Sequence, residues 1–505
     1  MSAPATHRSL KAVPTASAEH NRSRRTRMTE ELRRDARAKL VSAKRARPIP
    51  HALPESPLTI EQCVSALSQP EQALAALQTL RHLLGEQPPT PEVIPALTSI
   101  IALDSTNAAI AEEALWCLNV LAHGFDAVVL VDGVAPILLH RLVNQLPGMK
   151  AAAWTIANLA ADNPGTRHRL RELGALDIML TVLQNAKSVE MARIAAWALC
   201  NLVRGHNPPE ELRSIVESRL PKVLVDLARS AIANGRIQVL AELLWICTYL
   251  TAGDSRHSSF LLDIGLGQIL YDTLCLKPNE ENERSVKDSR LAALRCIGNV
   301  VSGPDELCEA LLEQEGFVNR LGESLNDENP ALIKEAMWAI SNICGGAPSH
   351  AVAVVNADLV PKIVTLFRQA TFDIKKECGF ALYNLARVQP FFERIWNCQV
   401  LDEFLNLMRV QDGEAAELGF KFVKLALNSA PGNGAVQALR DNDGQQVLED
   451  LRLVREDLQR EANQLIDQYL DPLDEDEDLA DAEPAEKLTE AEYPPWRLGA
   501  HRHPQ

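Results

Sequence analysis

The side chains with the most chemistry in this 505-residue chain are tryptophans and asparagines that recur together. Seven segments align, beginning with ALWCLNVLAHG at 114–124 and ending with CGFALYNLARV at 378–388. Their third position holds Trp116, Trp154, Trp197, Trp245, Arg295, Trp338 and Phe380. Four residues later stand Val120, Asn158, Asn201, Tyr249, Asn299, Asn342 and Asn384. A spacing of four places both side chains on one helix face, one turn apart.

This pairing indicates recognition of an extended basic peptide. An asparagine amide can bond both the N–H and the C=O of a peptide backbone laid across it. Parallel indole rings would form slots for the methylene stems of Lys or Arg, with cation–π attraction. The alternative is a structural ladder inside a helix stack, which would be the better interpretation of one isolated pair. Five asparagines in register favour binding.

Carboxylates extend the pattern. Asp162 lies one further turn beyond Asn158, while Glu242, Glu335 and Glu377 each precede an aromatic position by three residues. Carboxylates beside aromatic slots select a basic ligand. Exposed helix charges without a ligand remain the alternative for each glutamate.

The elements that must position these residues are repeated helices. The aromatic positions follow one another at 38, 43, 48, 50, 43 and 42 residues, the period of armadillo or HEAT repeats. We therefore predict an all-α fold, a right-handed superhelical solenoid of about ten armadillo repeats over residues 58–470 with a concave face. One position, two after the aromatic, is predicted to be core: Leu118, Ile156, Leu199, Ile297, Ile340 and Leu382.

Composition excludes several classes of protein. The chain is 46% hydrophobic with a net charge of −16, which argues against wholesale disorder and against a nucleic-acid binder. Its ten cysteines form no Cys-x-x-Cys pair, so neither a zinc site nor a disulfide framework is expected. The sequence has no run of 18 apolar residues, so no membrane span is expected. Without metal-spaced histidines or a phosphate-binding loop, we expect no enzyme, no metal and no cofactor.

The charge is unevenly distributed along the chain. Residues 1–50 contain 13 Lys/Arg and 4 Asp/Glu, a net of +9, so the rest carries −25. We predict disorder over 1–20, a basic arm and proline-rich linker over 21–57, and an acidic disordered tail over 471–505. In the arm, Leu32, Ala36, Leu40 and Ala43 recur at helical spacing.

Taken together, these segments resemble importin-α (karyopherin-α), the family of nuclear import adaptors. AAWTIANLAAD at 152–162 is similar to the family's third-repeat helix, including its final acid. LLWICTYLTAG, with Tyr for Asn, and ALRCIGNVVSG, with Arg for Trp, resemble the fifth and sixth repeats. RRTRMTEELRRDARAKLVSAKRAR at 24–47 resembles the importin-β-binding arm, and ANQLIDQYLDPLDEDED at 462–478 the last repeat and acidic tail.

The resemblance implies two peptide sites and a receptor-binding arm. The implied major site comprises Trp116, Gly124, Trp154, Asn158, Asp162, Trp197 and Asn201. The implied minor site comprises Glu242, Tyr249, Arg295, Asn299, Glu335, Trp338, Asn342, Glu377, Phe380 and Asn384. The arm would bind importin-β through Arg24, Arg25, Arg27, Arg33, Arg34, Arg37, Lys39, Lys44, Arg45 and Arg47.

A function follows from the resemblance. Cargo proteins with Lys/Arg-rich nuclear localisation signals would occupy the groove, with Asp162 pairing with the principal Lys. The arm would occupy the same groove until importin-β captures it, which is autoinhibition. An exportin would recycle the adaptor, so the chain would shuttle between cytoplasm and nucleus.

Three departures from the family pattern qualify these expectations. Val120 replaces an Asn in repeat two, and Asn119 points about 100° away from it. Phe380 replaces a Trp, which keeps an apolar wall but weakens cation–π attraction. The last arm cluster is Lys44-Arg45-Ala46-Arg47, so we expect autoinhibition of altered strength. The competing class is an armadillo scaffold for protein assembly without import function, and a basic arm could instead bind RNA or an acidic membrane.

Overall fold

The computed structural model describes residues 58–86, 91–104, 107–124, 127–205 and 208–470. The segments predicted as 1–20, as the arm and linker, and as the acidic tail lie outside these residues. The described residues form α-helices joined by short connections, with three 3₁₀ turns, one π-helical turn and no β-strand. The all-α prediction is confirmed.

The chain divides into two compact units, one ending at Gln314 and the other beginning at Glu315. Helices of the first unit are α1 Ile60–Ala66, α2 Pro70–Glu86, α3 Ile94–Ile101, α4 Ala108–Gly124, α5 Ala127–Val143, α6 Met149–Asp162, α7 Pro164–Glu172, α8 Ala175–Gln184, α9 Val189–Val203, α10 Pro209–Glu217, α11 Leu220–Ala233, α12 Ile237–Leu250, α13 Ser255–Asp263, α14 Leu266–Cys275, α15 Glu283–Val301 and α16 Asp305–Leu312.

The described residues of the second unit also form α-helices. They are α17 Phe317–Glu323, α18 Pro330–Cys344, α19 Pro348–Asn356, α20 Val360–Gln369, α21 Phe372–Ala386, α22 Phe392–Trp396, α23 Leu401–Met408, α24 Gly413–Ser429, α25 Gly434–Asp441, α26 Gly444–Val454 and α27 Glu456–Leu465, followed by a π-helical turn at Ile466–Leu470.

Local sequence explains where these helices begin. Ser188 accepts a hydrogen bond from the Met191 N–H at the start of α9, and Asn163 does the same for Thr166 at the start of α7. Such caps satisfy N–H groups that have no partner within the helix. Gly174 and Gly265 precede α8 and α14 with φ of 80° and 101°, a left-handed conformation that favours glycine.

Repetition of one long helix organises the first unit. The aligned segments lie in α4, α6, α9, α12 and α15, and each of these helices packs against the next. In the second unit α18 packs against α21, and α21 against α24. The six predicted core residues, from Leu118 to Leu382, are all fully buried, so that prediction is confirmed. The repeat therefore places its aromatic and asparagine positions at matching places on successive helices.

Taken singly, the described helices are all too short or too polar to cross a membrane. Helices α19 and α20, which meet at a bend of 86°, are together long and apolar enough to cross one, judged by length and composition alone.

Candidate peptide-binding surface

Three tryptophans of the predicted major site form one continuous cluster. Trp116, Trp154 and Trp197 project from α4, α6 and α9. The ring centroids of Trp116 and Trp154 are 5.9 Å apart with 63° between ring planes, and those of Trp154 and Trp197 are 5.8 Å apart with 70°. Only Trp154 is partly exposed. The expectation of parallel rings with open slots is therefore wrong here, because edge-to-face contact is a preferred geometry for adjacent indoles.

Among the asparagines predicted to bind a peptide backbone, Asn158 has the most unused hydrogen-bonding capacity. It lies one turn beyond Trp154 on α6 and is 1% exposed. Neither its Oδ1 nor its Nδ2 has a hydrogen-bond partner among the described residues, and the same holds for Nε1 of Trp154 and of Trp197. Buried polar groups are normally paired, so this concentration of unpaired atoms indicates a place where a ligand completes the bonding.

Other asparagines of the series join helices within the stack. Asn201 Nδ2 donates to the Ala157 carbonyl at 3.0 Å, Asn299 Nδ2 to the Thr248 carbonyl at 2.9 Å, and Asn384 Nδ2 to the Ser341 carbonyl at 3.0 Å. Each acceptor directly precedes the corresponding asparagine position of the previous repeat. The alternative of a structural ladder is thus correct for the Nδ2 group of each of these three amides. The Oδ1 atom of Asn201 has no hydrogen-bond partner among the described residues.

Asp162 ends α6 and is exposed. Its Oδ2 accepts a hydrogen bond from Asn163 Nδ2 at 2.7 Å. Nearby, Arg167 is buried, with Nη1 donating to the Ala160 carbonyl at 3.3 Å. Burial, together with the positive charges of Arg204 and Arg171, lowers the pKa of Arg167 to about 10. Asp162 is therefore an accessible carboxylate at the end of the column that begins with Trp154.

The repeat-two departure has a structural explanation. Asn119 is buried and donates from Nδ2 to Thr155 Oγ1 at 3.4 Å, whereas Val120 is half-buried. Asn119 therefore contacts the neighbouring helix and does not replace the missing amide. Gly124 is the last residue of α4.

Four predicted minor-site residues belong to the first unit. Glu242 and Tyr249 are buried on α12, and Arg295 and Asn299 are buried on α15. In addition to Thr248, Asn299 Nδ2 lies 3.3 Å from Thr251 Oγ1. These side chains pack within the helix stack.

Six predicted minor-site residues belong to the second unit. They are Glu335, Trp338 and Asn342 on α18, and Glu377, Phe380 and Asn384 on α21. All are buried except Phe380, which is partly exposed. Asn342 Nδ2 has no hydrogen-bond partner among the described residues.

The sequence predicts that Glu377 is a ligand for basic groups, with an exposed helix charge as the alternative. Instead it is fully buried, and its Oε2 accepts a hydrogen bond from Ser341 Oγ at 2.9 Å. The alternative of an exposed helix charge is wrong for Glu377, and for Glu242 and Glu335, which are also buried.

The sequence pattern does not indicate several contacts made by the predicted site residues and their neighbours. Ser341 and Thr155 look like ordinary small helix residues, yet each bonds a predicted site residue or its neighbour on the adjacent helix. Tyr383 stands where five of the six other aligned segments carry a small residue, and the Arg387 guanidinium lies 5.9 Å from its ring centroid. That bulky residue one position before Asn384 was the available signal for this contact.

Among the described residues, no group of three or more His, Cys, Asp or Glu side chains is placed to hold a metal ion. All ten cysteines are free, and burial raises the pKa of the Cys296 thiol to about 12. A thiol with so high a pKa is a poor nucleophile at neutral pH.

The repeated, stacked helices have the fold of armadillo repeats. Residues 163–204 match the family model of the armadillo/beta-catenin-like repeat. An engineered protein of known crystal structure superposes with a TM-score of 0.66 at 23% identity, covering 81% of this chain and 98% of its own, which supports the fold.

Two relatives indicate more closely which kind of armadillo-repeat protein this chain resembles. Importin subunit alpha-9 of Arabidopsis thaliana is 28% identical over 429 residues, covering 79% of this chain and 80% of the relative. Importin subunit alpha-2 of Oryza sativa subsp. japonica is 26% identical over 449 residues, covering 81% of each. The predicted resemblance to importin α is confirmed over about four fifths of the chain.

Proposed function

We propose that this protein is a nuclear import adaptor whose first unit binds Lys/Arg-rich nuclear localisation signals of cargo proteins. The observation that carries the proposal is the column of Trp154, Asn158 and Asp162 on α6. It combines a partly exposed indole, an amide without partners and an exposed carboxylate on one helix face. The similarity to importin alpha subunits supports the same function.

Each member of the column has a separate task. Asn158 can accept from a peptide N–H and donate to a peptide C=O, which fixes an extended backbone. Trp154 contacts the methylene stem of a Lys or Arg, and Asp162 pairs with the charged end of that side chain. A Lys supplies the stem, the charge and the backbone that these groups require together.

The second unit carries a second candidate position for a basic peptide. Trp338 and Asn342 on α18 and Phe380 and Asn384 on α21 repeat the same spacing, and Asn342 Nδ2 is unpaired. Phe380 offers an apolar wall with weaker cation–π attraction than an indole. This position therefore contributes less affinity per basic side chain than the column on α6.

The arm and tail complete the proposed cycle. The basic residues from Arg24 to Arg47 compete with cargo for the acidic surface and are captured by importin-β. An exportin recycles the empty adaptor between nucleus and cytoplasm, with the last repeat (about 448–470) and Asp474–Asp478 as its contacts. The net charges of +9 and −25 in the two parts of the chain support this competition.

A pull-down with a Lys-rich signal peptide tests the proposal. Asp162→Lys should weaken peptide capture at least about tenfold, equivalent to ~1.4 kcal/mol. Asp263→Lys is the matched control, because Asp263 is another exposed carboxylate that ends a helix of the same unit. Equal capture by both variants would contradict the proposal and favour an armadillo scaffold without import function.

A further inference from the structure

We propose that Trp116, Trp154 and Trp197, here called the tryptophan cluster, form a gate that must open before a basic peptide reaches Asn158. The inference rests on the proposed function and concerns how its site is exposed. It predicts a closed free state, observed in this structure, and an open state in which the rings separate. Three independent features of the first unit support it.

Ring spacing is the first feature. A methylene stem held between two ring faces needs roughly 7 Å, because each of its two carbon contacts takes about 3.5 Å. The ring centroids of the cluster are 5.9 and 5.8 Å apart, and the planes are inclined at 63° and 70°. The observed arrangement has no slot for a stem between these rings.

Burial is the second feature. The outer rings, Trp116 and Trp197, are 3% and 4% exposed, and Asn158, one turn beyond Trp154 on the same helix, is 1% exposed. A peptide backbone cannot reach the Asn158 amide while it is covered to this extent. Trp154, the central and partly exposed ring, makes both ring contacts and is therefore the side chain whose displacement opens the cluster.

Unpaired polar atoms are the third feature. In the closed arrangement, Asn158 Oδ1 and Nδ2 and the Nε1 atoms of Trp154 and Trp197 are buried without hydrogen-bond partners. Leaving such groups unpaired is unfavourable, so the closed state is stabilised by ring contact and opposed by these orphaned groups. A peptide backbone supplies both donors and acceptors, so its binding favours the open state.

Exciton coupling between indole rings reports the state of the cluster directly. We would record near-230 nm circular dichroism of the full chain carrying Lys44→Ala, Arg45→Ala and Arg47→Ala, so that the arm competes less. The couplet should disappear in Trp154→Phe, which removes the shared ring. It should persist in Trp396→Phe, because Trp396 in the second unit stacks on Phe392 instead.

Addition of a Lys-rich peptide should reduce the couplet at least twofold at saturation. The observed association rate should level off with peptide concentration, because opening precedes binding. A peptide that binds while the couplet stays unchanged would overturn the gate and leave the proposed function standing. Failure of the peptide to bind at all would overturn both.

The sign of one substitution separates a gate from a fixed wall. Trp116→Leu removes one ring contact of Trp154, so the association rate should rise at least fivefold. If the rings form a fixed wall, Trp116→Leu can only remove contacts with the peptide and cannot speed its association. An unchanged or slower association would therefore overturn the gate. Far-UV circular dichroism checks that the variant folds, and if it does not, Trp116→Phe and the peptide-dependent couplet decide the question.

Discussion

At the residue scale, two asparagines of the same series have opposite structural roles. Asn201 donates to the Ala157 carbonyl, whereas Asn158 makes no hydrogen bond within the described residues. Both are almost completely buried. We therefore expect the fold to depend on the Asn201 amide, and the Asn158 amide to contribute to peptide binding instead of to stability.

A matched pair of substitutions tests this division. Asn201→Ala should lower the free energy of unfolding by about 1 kcal/mol, the usual value of one hydrogen bond. Asn158→Ala should leave it unchanged or raise it by about 1 kcal/mol, because an unpaired buried amide is removed. Urea unfolding measures both, and peptide titration should show the greater loss of affinity for Asn158→Ala. Equal losses of stability would contradict the assignment.

The same residues show what sequence could predict about the site. Spacing of four correctly placed Trp154 and Asn158 on one face and put Asp162 at its end. It could not predict that Trp116 and Trp197 turn their rings edge-on, because ring orientation depends on packing between helices 38 and 43 residues apart. The burial of Glu377 could not be predicted for the same reason, since its partner Ser341 lies on a different helix.

At the element scale, one ionic cluster connects successive helices of the second unit. Asp412 caps α24, accepting hydrogen bonds from the Glu414 and Ala415 N–H groups at 3.0 and 2.9 Å. Lys376 of α21 lies 2.8 Å from Asp412 Oδ2 and 3.2 Å from Glu414 Oε2. Burial works against the charge of Lys376, but hydrogen bonds and charges from these carboxylates outweigh it and raise its pKa.

The pKa of Asp412 is displaced in the opposite direction. Burial would raise it, yet bonding to Lys376 and to the two N–H groups leaves it lowered overall. A lowered carboxyl pKa stabilises the fold above the pKa of an unfolded Asp, about 4, and this contribution is lost as pH falls further. A raised Lys pKa stabilises below about 10.4 and is lost as pH rises.

Removal of this carboxylate should therefore have a pH-dependent effect. Asp412→Ala should lower the free energy of unfolding by about 2 kcal/mol at pH 7, through loss of the cap and of the Lys376 partner. The difference from the unaltered protein should shrink as pH falls from 5 to 2. Asp402→Ala, in the exposed first turn of α23, is the control. A deficit that stays constant with pH would contradict this account.

Sequence periodicity predicted such helices well but not their partners. The recurring segments correctly indicated a repeat of long helices, and the buried position from Leu118 to Leu382 followed directly. Contacts such as Lys376 with Asp412 join residues 36 positions apart and depend on how one repeat stacks on the next. A pattern within one helix does not contain that information.

Across the whole molecule, the charges are separated between a basic N-terminal part and an acidic remainder. The first 50 residues carry +9 and the rest −25, so we expect a basic arm and a basic cargo to compete for the acidic remainder of the chain. The arm lies outside the described residues, and its position is a prediction from the sequence.

Deletion of residues 1–50 tests that competition. Affinity for a Lys-rich peptide should rise at least about tenfold at low salt, and the gain should diminish at high salt, because long-range attraction between charges is screened. Fluorescence anisotropy of a labelled peptide measures both affinities. An affinity that does not change on deletion would contradict autoinhibition while leaving peptide binding intact.

We propose that Asp162 pairs with one basic side chain of a cargo signal, and an exchange of charge between the two partners tests this pairing. Asp162→Lys would be titrated against a panel of peptides in which each Lys is replaced in turn by Glu. The account predicts that one Glu peptide binds Asp162→Lys at least about tenfold more tightly than it binds the unaltered protein, ~1.4 kcal/mol. If no position in the peptide restores binding, Asp162 does not recognise the signal and the account is contradicted.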